Sequence, residues 1–225
     1  MSIKYIVHLA NYSDGILYVL AFLLFVALAV IIDRFWTLRS TILRGKSVIH
    51  TAAELATLRQ AEFAKLLQAS KNLPEAVLID TAMRHHGGVS QDALSNRLDE
   101  SIMLIAPSLD RRLWVLDTVV TLAPLLGLFG TIVGMFHAFN VLAQPGHAPA
   151  EVTAGVADAL VATAFGLFIA MLGLTGFNAL SNQVRLIVHQ LDLLKMMIVN
   201  RTDGAPVMSA SNAARPASAT HLATA

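Results

Sequence analysis

Charged side chains are missing from three windows of this chain and crowd into the stretches between them. The first window lies between Asp14 and Asp33, where Ile16 to Ile32 is an unbroken apolar run of 17 residues. As a helix rising ~1.5 Å per residue it spans about 25 Å, enough to cross a bilayer core. The second window runs from Asp117 to Glu151, apolar from Thr118 to Phe139, with only hydroxyls, glycines, a proline and His137 as interruptions. The third lies between Asp158 and Arg185 and is apolar from Ala159 to Leu180. Three membrane spans are the direct reading. Only 14% of the residues are charged, against roughly 25% in soluble domains, and 56% are hydrophobic. Such a chain cannot bury its apolar surface in a core of its own size, so lipid is the natural solvent.

The fold class expected is all-α: an integral membrane protein with three spans and long helices extending beyond the bilayer. The boundaries read as a periplasmic segment 1–14, a first span 15–35, a cytoplasmic helical domain 36–113, a second span 114–140, a periplasmic link 141–154, a third span 155–182, a helical extension 183–202 and a disordered tail 203–225. Orientation rests on the basic flanks, since cytoplasmic loops carry the positive excess. The stretch from Arg34 to Arg112 holds 11 of the 16 basic residues, whereas the link between spans two and three holds none. The N-terminus is therefore expected outside and the C-terminus inside. Ala27-Leu28-Ala29 superficially resembles a processing site, but a signal peptide carries its positive charge before the apolar run and here it follows. Residues Ile3 to Tyr12 could form a short interfacial helix.

Between Trp36 and Arg112 helix formers dominate, with apolar residues at helical spacing at Val48, Ala52, Leu55 and Leu58, then Ala61, Phe63, Leu66 and Leu67. Helical hairpins are expected, punctuated at Pro74, Gly87-Gly88 and Pro107, with Ser90 as an N-cap. His85 and His86 lack further ligands at suitable spacing and read as solvated turn residues. After span three, Val184, Ile187, Val188, Leu191, Leu194 and Ile198 continue a helical stripe, so one helix is expected from about 154 to 200. From Asp203 onward small and polar residues prevail. Zero cysteines exclude a disulfide scaffold, a thiolate metal site and a Cys nucleophile, and the net charge of +1 gives no nucleic-acid footprint. With no nucleotide loop, zinc-protease motif or nucleophile elbow, the chain reads as neither an enzyme nor a cofactor or metal binder.

At about 100° per residue, Gly155, Ala159, Ala162, Gly166, Ala170 and Gly173 share one side of span three, opposite Leu160, Val161, Leu167, Phe168, Met171 and Leu172. Span two repeats the design, with Ala123, Gly127, Gly130, Thr131, Gly134 and Ala138 on one side together with Pro124. Small residues let backbones approach, a main source of helix association in lipid. The short link makes the two spans antiparallel, which places Thr131 and Thr163 at similar depth. A membrane threonine ordinarily bonds a carbonyl one turn back. A functional threonine can relay a proton or hold a water but cannot store charge.

The runs Ala123-Pro124-Leu125-Leu126-Gly127-Leu128-Phe129-Gly130-Thr131-Ile132-Val133-Gly134-Met135 and Gly155-Val156-Ala157-Asp158-Ala159-Leu160-Val161-Ala162-Thr163-Ala164-Phe165-Gly166-Leu167 resemble the paired signature of the MotA/TolQ/ExbB proton channel family, most closely ExbB and TolQ. The resemblance covers about residues 110 to 200. It implies an inner-membrane homo-oligomer, a pentamer in family members, whose pore is lined by spans two and three. It further implies an ExbD- or TolR-like single-span partner carrying an intramembrane Asp, and a TonB- or TolA-like transducer that carries work to the outer membrane. By position Thr131 and Thr163 match the family's functional hydroxyls, Asp158 stands where the family usually has Glu, and Asn178 matches an Asn near the inner end of span three. Thr153-Ala154 replaces a common Ala-Pro pair, and Met171-Leu172-Gly173-Leu174 replaces a proline-bearing stretch.

Independently of the family, no Asp, Glu, Lys or Arg stands at mid-span, so a proton path by side-chain titration must borrow its central carboxylate from another polypeptide. Asp158 reads equally as a helix-start acid favoured by the dipole. Asp117, at the inner edge, is expected in an ion pair with Arg111 or Arg112 rather than as a proton exit, and His137 as interfacial. A passive scaffold that assembles partners without passing ions is the competing reading. A solute transporter would show inverted repeats and broken helices, which three spans do not offer.

Overall fold

The computed structural model describes residues 15–55, 58, 60–85, 88–142 and 149–202. Among the described residues all regular structure is helical: α1 (Ile16–Glu54), α2 (Gln60–Ala69), α3 (Glu75–His85), α4 (Gln91–Leu109), α5 (Leu113–Leu142) and α6 (Pro149–Thr202). Expectations for residues 1–14, for His86 and Gly87, for 143–148 of the link and for the tail 203–225 lie outside the described residues. Helices α1, α5 and α6 are long and apolar enough to cross a membrane.

Both ends of the apolar pattern run on as helix. Helix α1 continues for 39 residues because the sequence after Asp33 keeps apolar residues at helical spacing and has no proline to stop it. Helix α6, 54 residues long, begins at Pro149, earlier than the expected start near 154. Proline suits a first helical turn, where its missing N–H costs no hydrogen bond. One punctuation mark is misplaced in the sequence reading: Pro107 lies inside α4. It is in the last turns of that helix, and the carbonyl it deprives of a partner, four residues back, belongs to exposed Met103. The chain instead turns at 110–112, where Arg112 takes a left-handed φ of 72° and Leu113 N–H bonds the Asp110 carbonyl at 3.0 Å.

The chain divides into two compact units. The first comprises Met1–Leu43 and Ile105–Val188 and contains the three apolar segments. Its interior is built from Leu20, Ala27, Leu116, Ala123, Ala138, Ala159, Ala162, Ile169 and Leu180, mixing small and large residues across facing helices. A Cβ on Gly176 of α6 would stand 2.5 Å from Ile31 of α1, so glycine there is what lets those helices meet. Outward-pointing Leu125, Phe129, Ile132, Phe136, Leu167, Phe168 and Met171 are exposed, a surface suited to lipid or further apolar helices rather than water.

The second unit comprises Arg44–Leu104 and His189–Ala225. Helices α2 and α3 pack as a hairpin, closed by Asn72 at φ 66°, a residue that tolerates the left-handed region, and by Leu73 N–H on the Ser70 carbonyl at 2.8 Å. The stripe Val48, Ala52, Leu58, Phe63 and Leu66 is buried, as are Leu191, Leu194 and Ile198 of α6, while Ala61 is exposed. Lys195 bonds Asp99 of α4 at 2.5 Å, and Arg201 donates to the Ala52 carbonyl in the last turn of α1, which also accepts the Leu55 N–H at 3.3 Å.

Ser90 caps α4 through its hydroxyl oxygen, which accepts the Ala93 N–H at 3.3 Å. Ser90→Ala is expected to lower the unfolding free energy of the second unit by about 1 kcal/mol, and Ser90→Asp to keep it. Thermal melting followed by circular dichroism in detergent reads the difference.

Glu75 is the anomaly of this unit. The first residue of α3 is fully buried, and neither carboxylate oxygen has a hydrogen-bond partner. A Cβ on Gly45 of α1 would collide with its Oε1, and Gln190 Oε1 of α6 lies beside the same point at 3.1 Å. Burial pushes the Glu75 carboxyl above the usual carboxylate range, and only its own backbone N–H opposes that shift.

Candidate functional site in the paired helices

Helices α5 and α6 meet along the faces that carry their small residues. Gly127, Gly130, Thr131 and Gly134 of α5 and Gly155, Ala159, Ala162, Gly166 and Gly173 of α6 are buried, whereas Leu160, Val161, Leu167, Phe168, Met171 and Leu172 are exposed. The pairing is antiparallel and close. A Cβ on Gly166 would overlap the Ala123 carbonyl oxygen. One on Gly127 would lie 2.9 Å from the Ala162 carbonyl oxygen, one on Gly130 2.9 Å from the Ala162 Cβ, and one on Gly134 2.7 Å from the Ala159 Cβ. Four consecutive contacts therefore require hydrogen in place of a side chain.

That approach brings the two hydroxyls together. Thr131 Oγ1 and Thr163 Oγ1 are 2.8 Å apart. Thr131 also reaches the Leu128 carbonyl at 2.7 Å and the Gly127 carbonyl at 3.3 Å. Thr163 does not use a carbonyl of its own helix; it bonds the Gly127 carbonyl of α5 at 2.9 Å. Each hydroxyl has one proton, so two arrangements satisfy the cluster. In one, Thr163 donates to Gly127 and Thr131 to Thr163; in the other, Thr131 donates to Leu128 and Thr163 to Thr131. Passage between them reverses the central bond, the elementary motion of a hydroxyl relay. Thr163 is the more accessible of the pair, since Thr131 is only 7% exposed.

The remaining candidates lie apart from this cluster in character. Asp158 is half-buried, one turn and a half before Thr163 on α6. Pro124 is half-buried within α5, and Asn178 is exposed. Asp117 is exposed, and the ion pair expected for it is not the one formed: Arg112 bonds Asp33 of α1 at 2.8 Å, because the left-handed turn at 112 points its side chain toward that helix. Two things were invisible in the residue pattern. The Gly127 carbonyl is the shared acceptor of both hydroxyls, and Ile16, Ile31 and Val120 are the large side chains that fill against Gly130, Gly176 and Gly173. A glycine four residues before a threonine is the only sequence signal for the first.

Three apolar helices, two of them joined through glycine-mediated backbone contact and a shared hydroxyl cluster, define a multi-pass membrane protein with a buried polar cluster at a helix interface. Residues 70–193, more than half of the chain, match the model of the MotA/TolQ/ExbB proton channel family, and the chain belongs to that family. It is 33% identical over 162 residues to the Tol-Pal system protein TolQ of Haemophilus influenzae, covering 69% of this chain and 65% of that protein. It is 31% identical over 112 residues to the biopolymer transport protein ExbB of Neisseria gonorrhoeae, covering 48% and 51%. With TolQ of Pseudomonas aeruginosa the identity is 31% over 128 residues, covering 56% and 50%. The chain thus spans between half and two thirds of the length of these relatives. It is an ExbB/TolQ-like protein of the inner membrane, of a channel and transport family rather than a known enzyme family.

Proposed function

We propose that this chain is the ring-forming subunit of a proton-driven stator, converting proton motive force into mechanical work at the outer membrane. The observation that carries the reading is the hydrogen bond between Thr131 and Thr163, with both hydroxyls sharing the Gly127 carbonyl. The pair forms a rigid polar step in spans that otherwise lack mid-membrane ionisable groups. A proton crossing there needs a carboxylate, and an ExbD- or TolR-like single-span partner with an intramembrane Asp supplies one. Thr163 accepts from that carboxylic acid or from a bound water, and the hydroxyl pair passes the reorientation along. Each charge crossing a potential of ~100 mV releases about 2.3 kcal/mol, which the partner's movement can convert to pulling on a TonB- or TolA-like protein.

The chain enters with its N-terminus outside and its basic 34–112 segment in the cytoplasm, following the positive excess. Exposed apolar side chains on α5 and α6 pack against further copies, a pentamer as in family members, with the partner helices in the central pore. Asp158 lies near the outer mouth and Asp117 near the inner edge of this path. Gly127, Gly130, Gly134, Ala162 and Gly166 hold the two pore helices in register.

Thr131→Val and Thr163→Val remove the hydroxyls at constant shape. With the ring and partner co-purified and reconstituted, the double variant is expected to lower proton-coupled work on the order of a hundredfold, the scale on which loss of a positioned proton-transfer group acts. Thr163→Ser should keep most of it. Thr131 is engaged by the Leu128 and Gly127 carbonyls and by Thr163, which favours a second reading, a hydroxyl staple in a passive scaffold. Full activity of the double variant in an intact ring would establish that reading instead.

A further inference from the structure

Arg34, at the end of the first apolar run, is nine-tenths buried, and its Nε is enclosed without a hydrogen-bond partner. Arginine stays charged in proteins and carries five donors, so a side chain this buried calls for an acceptor at its two outer nitrogens, which are not sealed as Nε is. The nearest carboxylate is already engaged: Asp33 holds Arg112 at 2.8 Å. Arg111 and Arg112 add their charges within electrostatic reach of Arg34. Among these groups three guanidiniums stand against the single carboxylate of Asp33, leaving a positive excess. The turn that sets this cluster keeps Arg112 in the left-handed region, a conformation that persists only where its surroundings impose it.

The side chains around it suit a bilayer surface. Trp36 and Trp114 are 74% and 70% exposed, and Ile32 and Phe35 are exposed on the same stretch of α1. Exposed indoles at the ends of membrane helices mark the headgroup level. We propose that Arg34, with Arg111 and Arg112, forms a binding site for the phosphate of an anionic phospholipid headgroup, whose acyl chains lie along the apolar surface of the span that ends at Arg34. A phosphodiester brings the acceptor oxygens that Asp33 cannot share out, and Trp36 and Trp114 flank its glycerol. A soluble phosphate would match the charge but leave the indoles and Ile32 in water.

The test uses the full chain in nanodiscs of mixed phosphatidylglycerol and phosphatidylcholine, with lipid retained after detergent extraction quantified by mass spectrometry. Wild type is expected to enrich phosphatidylglycerol over its bulk fraction. Arg34→Gln and Arg111→Gln should each cut the enrichment about fivefold, the worth of one arginine at an anionic surface. Arg111 is exposed, so its variant keeps the test decisive if Arg34→Gln fails to fold. Trp36→Ala should also lower it. Unchanged enrichment in both arginine variants overturns the site. Displacement of the lipid by millimolar glycerol phosphate overturns the lipid source in favour of a free phosphate. Altered ring size in Arg34→Gln with lipid enrichment intact overturns it in favour of an acidic side chain from a neighbouring copy.

Discussion

Replacing Gly166 with valine is expected to separate α5 from α6 and abolish proton-coupled function, a larger effect than removing either threonine alone. Even the first carbon of a side chain at 166 would overlap the Ala123 carbonyl oxygen, a backbone atom that cannot rotate away, and would lie 3.1 Å from the Gly127 Cα. The helices must move apart. Overpacking of this kind costs about 1–3 kcal/mol, more where backbone is the obstacle. The movement also reaches the hydroxyl cluster, because Thr163 lies one turn from Gly166 and its bonds to Thr131 and Gly127 at 2.8 and 2.9 Å tolerate little displacement. Gly173→Ala is the graded control: its new carbon meets only the Val120 Cγ2 at 3.0 Å, the tip of a side chain. The expected order of thermal stability in detergent is wild type, Gly173→Ala, Gly166→Val, with coupled work lost in the last alone. A Gly166→Val protein as stable as wild type would show that the helices are not packed at this distance.

Stability of the second unit is expected to fall as pH rises, with Glu75 as the cause. Its carboxyl is raised in the folded state by burial, above an ordinary value of 4.5. The folded chain therefore binds this proton more tightly than the unfolded chain. The stabilising contribution is fully present below the unfolded value and is lost as pH rises through the raised folded one. Loss per pH unit within that window is bounded by about 1.4 kcal/mol for a single group. Glu75→Gln keeps the shape and removes the titration, so its midpoint should vary less with pH above the ordinary carboxylate value than that of wild type. Glu75→Lys places a cation where no partner waits and should cost several kcal/mol, on the scale of other uncompensated buried charges. Chemical denaturation at stepped pH measures all three. A wild-type midpoint that climbs with pH would mean that Glu75 is ionised and partnered in the folded chain.

Periodicity and charge determined a great deal before any coordinates. The three windows without charge became the three membrane-capable helices, because no arrangement of so many consecutive apolar residues is stable in water as a loop. The helical stripe after Leu180 became the continuous tail of α6, since hydrogen bonds within one helix depend on near neighbours alone. The small-residue faces were legible for the same reason: rotation per residue is set by local geometry. Pro107 misled because a proline near a helix end removes one bond whose carbonyl can face outward, and that depends on position within the helix.

Tertiary structure alone decided which atoms meet. Equal depth for Thr131 and Thr163 followed from counting along two antiparallel helices, but their contact depends on an interhelical distance set by four glycines at once. The carbonyl of Gly127 as common acceptor, the engagement of Arg112 by Asp33 rather than Asp117, and the enclosure of Glu75 and Arg34 are likewise products of packing. Local patterns specify which face of a helix turns inward. Separation and register between helices arise from the joint fit of side chains far apart in the chain, and a reading one helix at a time has no access to that fit.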